Sequence, residues 1–298
     1  MIRVLFCDGV EKNLSVKIEN LGVEVVDKHY EEAELGEEIK NFDVAVVRSA
    51  TKIRKNIIDK AKGSKLKLII RAGVGVDNID VDYAKQCGLE VRNTPNASSD
   101  SVAELVIAHI FSLARFLNQS NVSMRDGEWN KKKYKGIEIV GKTLGIIGMG
   151  RIGESLAKKA KALGMNIIYF DLLGKKDGVE GYINIDELYR TSDFISIHVP
   201  TTKTLISDNE INKMKDGVYI INTARGTVID EKALIKALDS NKIAGAGIDV
   251  FESEPNFSEE LVSRKNVSVT PHIGASTKEA QDKIGDEIVN IIKEKFNL

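Results

Sequence analysis

Short apolar runs bounded by polar or turn residues recur from one end of the chain to the other, and the stretches between them carry apolar residues at helical spacing. Strands are predicted at residues 3–7, 43–47, 67–70 and 90–92, then at 143–147, 166–170, 194–197, 218–222, 245–249 and 267–270. Strands that alternate with helices long enough to cross over imply parallel pairing with helices on both faces. The fold class is α/β, doubly wound. About ten strands are too many for one compact sheet of this kind, so two Rossmann-like parallel-sheet domains with a cleft between them are expected. A long helix is predicted over 99–117, with Val102, Leu105, Val106, His109, Leu113 and Phe116 on one broad face. A terminal helix over 277–296 carries Ile284, Ile288 and Ile291 or Ile292 as its stripe. Asn93-Thr94-Pro95-Asn96 and Thr270-Pro271-His272 are the natural crossing points, giving one domain of residues 1–93 completed by 275–298 and another of 94–274.

One βα unit carries a more specific signal. The run Leu144-Gly145-Ile146-Ile147 leads into Gly148-Met149-Gly150-Arg151-Ile152-Gly153, and Ile152, Leu156, Ala160 and Leu163 follow at helical spacing until Gly164. Gly148 permits a tight strand-to-helix turn, Gly150 lets a pyrophosphate approach the backbone, and Gly153 lets the helix lie close on its strand. The next strand ends on Asp171, whose carboxylate suits the hydroxyls of an adenosine ribose and would repel a 2′-phosphate. The unit predicts a dinucleotide, and NAD rather than NADP. Domain 94–274 is therefore expected to bind the cofactor, which leaves 1–93 with 275–298 for the substrate.

Composition narrows the partners. With 43 basic and 44 acidic residues the formal net charge is −1, which argues against nucleic acid or an acidic membrane. The apolar runs are strand-sized, and Met1-Ile2-Arg3-Val4-Leu5 leads into a strand rather than a signal segment, so a soluble cytoplasmic protein is expected. Cys7 and Cys87 are too few and too far apart for a disulfide framework or a thiolate metal site, and His29, His109, His198 and His272 show no metal-ligand spacing. No metal is expected. Lys131-Lys132-Lys133, near Trp129 and Tyr134, reads as a solvated or interface loop.

Ligands of open parallel sheets bind beyond the carboxyl ends of the strands. Arg48, Arg71, His198, Arg225, Asp249 and His272 all fall at such ends and are expected to share one rim. A histidine there is the natural proton carrier, and His198 and His272 compete for that role. Glu254 could serve either, since a carboxylate beside an imidazole orients the ring and favours its charged form.

Gly148 to Gly153 with Asp171, then Asn222-Thr223-Ala224-Arg225-Gly226, then Gly247-Ile248-Asp249-Val250-Phe251-Glu252-Ser253-Glu254-Pro255, then Thr270-Pro271-His272-Ile273-Gly274-Ala275 resemble the successive signatures of the D-isomer-specific 2-hydroxyacid dehydrogenases. The resemblance covers essentially the whole chain. Val47-Arg48-Ser49-Ala50-Thr51 and the run from Arg71 to Asp80 are most similar to the branch that acts on D-3-phosphoglycerate, a phosphorylated hydroxy acid. The resemblance implies that His272 is the acid/base, Glu254 its partner and Arg225 the guanidinium that holds the substrate. It implies cofactor contacts from Val74, Gly148, Gly150, Arg151, Ile152, Gly153, Asp171, Val199, Thr223, Ala224, Asp249, His272 and Gly274, with His198 in the cofactor-side wall. Gly73, Val74 and Gly75 would offer N–H groups to the substrate carboxylate, and Arg48, Ser49 and Arg71 would take the phosphate. A homodimer built from the cofactor domains, through the 99–117 helix and the Trp129 arm, is implied as well.

The sequence departs from the family pattern in the segment 198–206, containing Thr202 and Thr204, which is shorter than usual. It ends at Leu298, so a serine-binding regulatory domain is not expected. Two other readings stand beside phosphoglycerate oxidation. A glyoxylate, hydroxypyruvate or other small D-2-hydroxyacid reductase needs no phosphate site, and an NAD-sensing binding protein would associate with partners without turnover.

Overall fold

The computed structural model describes residues 1–298 and divides them into two compact units, residues 1–98 with 275–298 and residues 99–274. Along residues 1–98 run β1 (Arg3–Phe6), α1 (Lys12–Glu19), β2 (Glu24–Asp27), α2 (Glu32–Glu38), β3 (Val44–Val47), α3 (Lys55–Ala61), β4 (Leu68–Arg71), α4 (Val81–Gln86) and β5 (Glu90–Asn93). The second unit opens with α5 (Ser99–Arg115), α6 (Leu117–Arg125), β6 (Thr143–Ile147), α7 (Arg151–Ala162), β7 (Asn166–Phe170) and α8 (Ile185–Thr191). It continues with β8 (Phe194–Ile197), α9 (Asp208–Lys213), β9 (Val218–Asn222), α10 (Glu231–Asp239), β10 (Ile243–Ile248), α11 (Glu259–Val262) and β11 (Val267–Val269). Helix α12 (Lys278–Phe296) belongs to the first unit.

The first sheet is parallel in the order β2-β1-β3-β4-β5. Its strand residues alternate between two buried faces. Val4, Phe6, Val44, Val46, Leu68 and Ile70 meet Ile284, Ile288, Ile291 and Ile292 of α12, while Leu5, Ala45, Val47 and Ile69 pack with Leu35, Ile57 and Ile58. Burial on both faces is why β3 reads as an unbroken apolar run. Each isoleucine of α12 so buried contributes about 1.5–3 kcal/mol, which ties a segment distant in sequence to this sheet. The order reverses between β1 and β3, the position where ligands of such sheets collect.

The second sheet is parallel in the order β11-β10-β9-β8-β6-β7, with its reversal between β6 and β8. Helix α5 covers one face through Val106, Ile110 and Ala114, which pack with Leu144, Ile146 and Ile221. No helix is long and apolar enough to cross a membrane.

The sequence pattern needs correction at three places. Strand β2 was not predicted, because Glu24-Val25-Val26-Asp27 is a half-exposed edge strand that ends in acidic residues and shows little periodicity. The helix expected over 99–117 ends at Arg115, since Phe116 turns into a left-handed conformation (φ 55°) before α6 begins. Leu163, the last residue of the stripe expected along α7, caps that helix with 37% of its surface exposed, whereas Leu156 and Ala160 of the same stripe are buried, as is Gly153.

Candidate active site

Gly148 follows β6 with φ 97°, and a Cβ there would stand 2.4 Å from the His198 carbonyl oxygen. A Cβ at Gly153 would stand 2.3 Å from the Gly148 carbonyl oxygen, so the turn and the helix behind it close only on glycine. Gly150 differs, because a Cβ there would meet nothing within 4 Å. Gly150 is also the N-cap of α7 and has no side chain to satisfy the first turn. The N–H groups of Arg151, Ile152 and Gly153 therefore lack partners within the helix, and the positive end of its dipole is uncovered, as an approaching anion requires. Beyond β7, Asp171 accepts the Met149 N–H at 2.8 Å and the Leu173 N–H at 2.9 Å, one on each oxygen. This fixes a carboxylate beside the turn and leaves each oxygen a free lone pair. Donors for a pyrophosphate and an acceptor for a ribose diol fit a dinucleotide. At the ends of β8 and β9, Val199 and Thr223 continue the same edge, with Ala224 buried behind them, and the buried Thr223 hydroxyl has no internal partner.

Asn222 ends β9 and folds the next loop on itself. Its amide accepts the Ala224 N–H at 3.0 Å and donates to the Arg225 carbonyl at 2.8 Å, while Arg225 Nη1 donates to the Ala224 carbonyl at 2.6 Å. Gly226 sits where a Cβ would come 1.9 Å from the Phe251 carbonyl carbon, so the Arg225 loop lies directly on the segment that carries Glu254.

Glu254 Oε2 is 2.7 Å from His272 Nδ1, and Oε1 accepts the Phe251 N–H at 3.0 Å. Burial acts to raise the Glu254 pKa, but the hydrogen bonds from His272 and Phe251 and the charges of His272 and Arg225 outweigh it and hold the carboxyl below the usual range. The result is an ionised carboxylate on one side of an imidazole that is still open to solvent, with 38% of its side chain exposed. His272 has φ 53°, a left-handed conformation costing a side-chain-bearing residue about 1–2 kcal/mol. Hydrogen bonds to Asp249 from the N–H groups of His272, Ile273 and Gly274 hold it there.

The other candidate histidine is placed very differently. His198 Nε2 lies 2.8 Å from Ser196 Oγ, its Nδ1 is buried without a partner, and burial pushes its pKa down to about 4. It stays neutral through the physiological range, and Glu254 pairs with His272 rather than with it.

In the first unit, Arg48 follows β3 and Arg71 ends β4, on neighbouring strands. The Arg48 guanidinium makes no internal hydrogen bond or ion pair. Arg71 Nη1 donates to the Ala72 carbonyl at 2.8 Å and lies over Gly73, whose φ is 144°. Ser49 is exposed beside Arg48, and Val74 and Gly75 lead away with N–H groups that make no internal hydrogen bond. A cavity of about 410 Å³ opens at the reversal point of this sheet, bordered by Phe6, Asp8, Val46, Arg48, Ala72 and Ile288.

Three residues that organise these loops were not foreseen. Asp8, after β1, accepts the N–H groups of Arg48 and Thr51 and the Thr51 hydroxyl, while Asn78 donates to the carbonyls of Arg48 and Thr51. His109 reaches Ser268 and Thr270 from α5. Only Asp8 carried a sequence signal, an aspartate at the carboxyl end of a strand.

Residues 107–274 match the family model described as D-isomer specific 2-hydroxyacid dehydrogenase, NAD binding domain. The chain is 50% identical over 283 residues to a hydroxypyruvate reductase of Thermotoga maritima, covering 93% of this chain and 92% of that protein. It is 46% identical over 301 residues to a D-3-phosphoglycerate dehydrogenase of Methanocaldococcus jannaschii, covering 98% of this chain and 57% of that protein. A glyoxylate reductase structure from Paecilomyes thermophila superimposes with a TM-score of 0.89 at 33% identity, covering 98% of this chain and 94% of the other.

Proposed function

Because the chain belongs to the D-isomer-specific 2-hydroxyacid dehydrogenase family, we propose that it oxidises D-3-phosphoglycerate to 3-phosphohydroxypyruvate with NAD, as the first step of phosphorylated serine biosynthesis. Bound NAD supplies the hydride acceptor. Neutral His272 donates its Nδ1–H to Glu254, which leaves Nε2 to take the hydroxyl proton, and the Glu254 carboxylate stabilises the imidazolium that results. Arg225 grips the substrate carboxylate through its planar fork, assisted by the N–H groups of Val74 and Gly75; the Gly73 N–H, expected to join them, is taken by the Arg71 carbonyl at 2.9 Å. Arg48, Ser49 and Arg71 take the phosphate.

The observation that carries the substrate is the unpaired Arg48 guanidinium, next to Arg71, at the mouth of a cavity at the sheet's reversal point. A cation without an internal partner is well suited to an anionic group of a ligand. A second reading, reduction of unphosphorylated hydroxypyruvate, is favoured by the Thermotoga maritima relative, which this chain matches over nearly its full length. Rates of NADH oxidation with 3-phosphohydroxypyruvate, hydroxypyruvate and glyoxylate separate the two. Phosphohydroxypyruvate is expected to lead in kcat/KM by at least ~10-fold, the value of one well-made charged hydrogen bond. A lead for hydroxypyruvate would replace the first reading with the second, and no turnover of any acid would turn it toward an NAD-sensing binding protein.

We assign the ribose of NAD to Asp171. Asp171→Ala is expected to weaken NADH binding by roughly tenfold and to narrow its advantage over NADPH, as read by fluorescence titration. Equal affinity of the unaltered protein for both nucleotides would refute the assignment. Leu117, Val122, Met124 and Trp129, all half-exposed or more, support a homodimer that uses α6 and the arm after it.

A further inference from the structure

The loop that carries His272 is secured by a largely buried row of polar side chains, of which only Asp249 was expected to have a part in the reaction, beside the cofactor. Asp249, 1% exposed, accepts the Ile273 N–H on Oδ1 and the Gly274 N–H on Oδ2, each at 2.9 Å, and its carbonyl accepts the His272 N–H at 2.8 Å. A third donor reaches the carboxylate, the Thr270 hydroxyl at 2.6 Å from Oδ1.

Proton accounting gives this arrangement a direction. A carboxylate only accepts, so the Thr270 proton is committed to Asp249 and Thr270 Oγ1 must accept from its other neighbour. That neighbour is His109 Nε2 at 3.2 Å, which puts the imidazole proton on Nε2. His109 Nδ1 is then the acceptor for the Ser268 hydroxyl at 3.0 Å, and Ser268 Oγ accepts from Asn118 Nδ2 at 3.1 Å. Ser268 has one proton, so once that is given to His109 the Ser112 hydroxyl, 3.2 Å away, is the donor to Ser268 Oγ. His109 is 2% exposed, and burial lowers its pKa despite the opposing charge of Asp249, so the ring is neutral as the pattern requires. Every donor points the same way, from Asn118 through Ser268, His109 and Thr270 to Asp249.

Packing alone does not call for this histidine. Its neighbours on the buried face of α5 are Val102, Val106, Ile110 and Leu113, and an apolar side chain would continue that stripe. The strand opposite makes room for the ring, since a Cβ at Gly247 would lie 2.8 Å from His109 Cβ.

We propose that His109 is a positioning residue for His272, its Nε2–H holding Thr270 on Asp249 and thereby holding residues 270–274 where His272 meets Glu254. The inference rests on the reading of His272 as the acid/base, and the experiment keeps the two apart.

His109→Leu removes both ring nitrogens, whereas His109→Gln retains a donor at the Nε2 position. In His109→Leu, kcat is expected to fall by ~10-fold while NADH affinity and substrate KM stay within about twofold, and His109→Gln should recover most of the loss. Nitrogen-15 NMR of histidine-labelled protein without ligands should show His109 as the neutral Nε2–H tautomer. The His272 ring signals should move in His109→Leu and hold in His109→Gln. Should His109→Leu not fold, Thr270→Val breaks the same link and is expected to reproduce the kcat loss and the His272 shift. An Nδ1–H tautomer, or unmoved His272 signals in a folded His109→Leu or Thr270→Val protein, would overturn the proposal. The NMR result stands even if the unaltered protein turns over none of the acids tested.

Discussion

His272→Gln is expected to lower kcat by ~10²–10⁴-fold while NADH still binds, because general acid–base catalysis typically supplies that much. Glutamine preserves a polar group facing Glu254 but can carry no proton, so the loss falls on the chemical step. The backbone bonds that hold position 272 come from its own N–H and those of Ile273 and Gly274, and they survive the exchange. His198→Gln provides the contrast. His198 is enclosed, bonded to Ser196 and neutral, and its carbonyl crowds the Gly148 turn, so its replacement should act chiefly on cofactor affinity. Single-turnover kinetics with NADH titrations reads both quantities. An active His272→Gln protein beside an inactive but NADH-binding His198→Gln protein would reverse the two roles.

How these residues come together was only partly legible in the sequence. Interior strands such as β3 and β4 announce themselves because burial on both faces forces runs like Val44-Ala45-Val46-Val47. Edge strand β2 has no such constraint, and the break at Phe116 comes from a backbone turn that apolar periodicity does not record. At the candidate site, the charged residues at strand ends were visible one by one, but their pairing was not. Glu254 could have served either histidine on sequence grounds, and in the fold it meets His272 with one oxygen while the Phe251 N–H holds the other. His109 shows the limit most sharply. Within α5 it reads as one more member of an apolar stripe, since its partners Ser268 and Thr270 lie more than a hundred residues away and hydroxyl groups leave no periodic trace.

Arg48→Ala is expected to cost roughly ten- to a hundredfold in kcat/KM for D-3-phosphoglycerate, since a charge-assisted hydrogen bond is worth ~1.5–3 kcal/mol and 1.4 kcal/mol is about a factor of ten. Activity on glyoxylate or unphosphorylated glycerate should hardly change. Arg48 is the cleaner probe of the two N-terminal arginines because its guanidinium has no internal partner, and its backbone is held by Asp8 and Asn78 whatever the side chain. Arg71 also donates to the Ala72 carbonyl and lies over Gly73, so Arg71→Ala would disturb the loop expected to bind the carboxylate common to all these acids. The two variants should therefore separate, with Arg48→Ala selective for the phosphorylated acid and Arg71→Ala depressing every acid while weighing most on the phosphorylated one. Equal losses on phosphorylated and unphosphorylated acids in Arg48→Ala would remove the argument for a phosphate site, and with it the preference for phosphoglycerate over hydroxypyruvate.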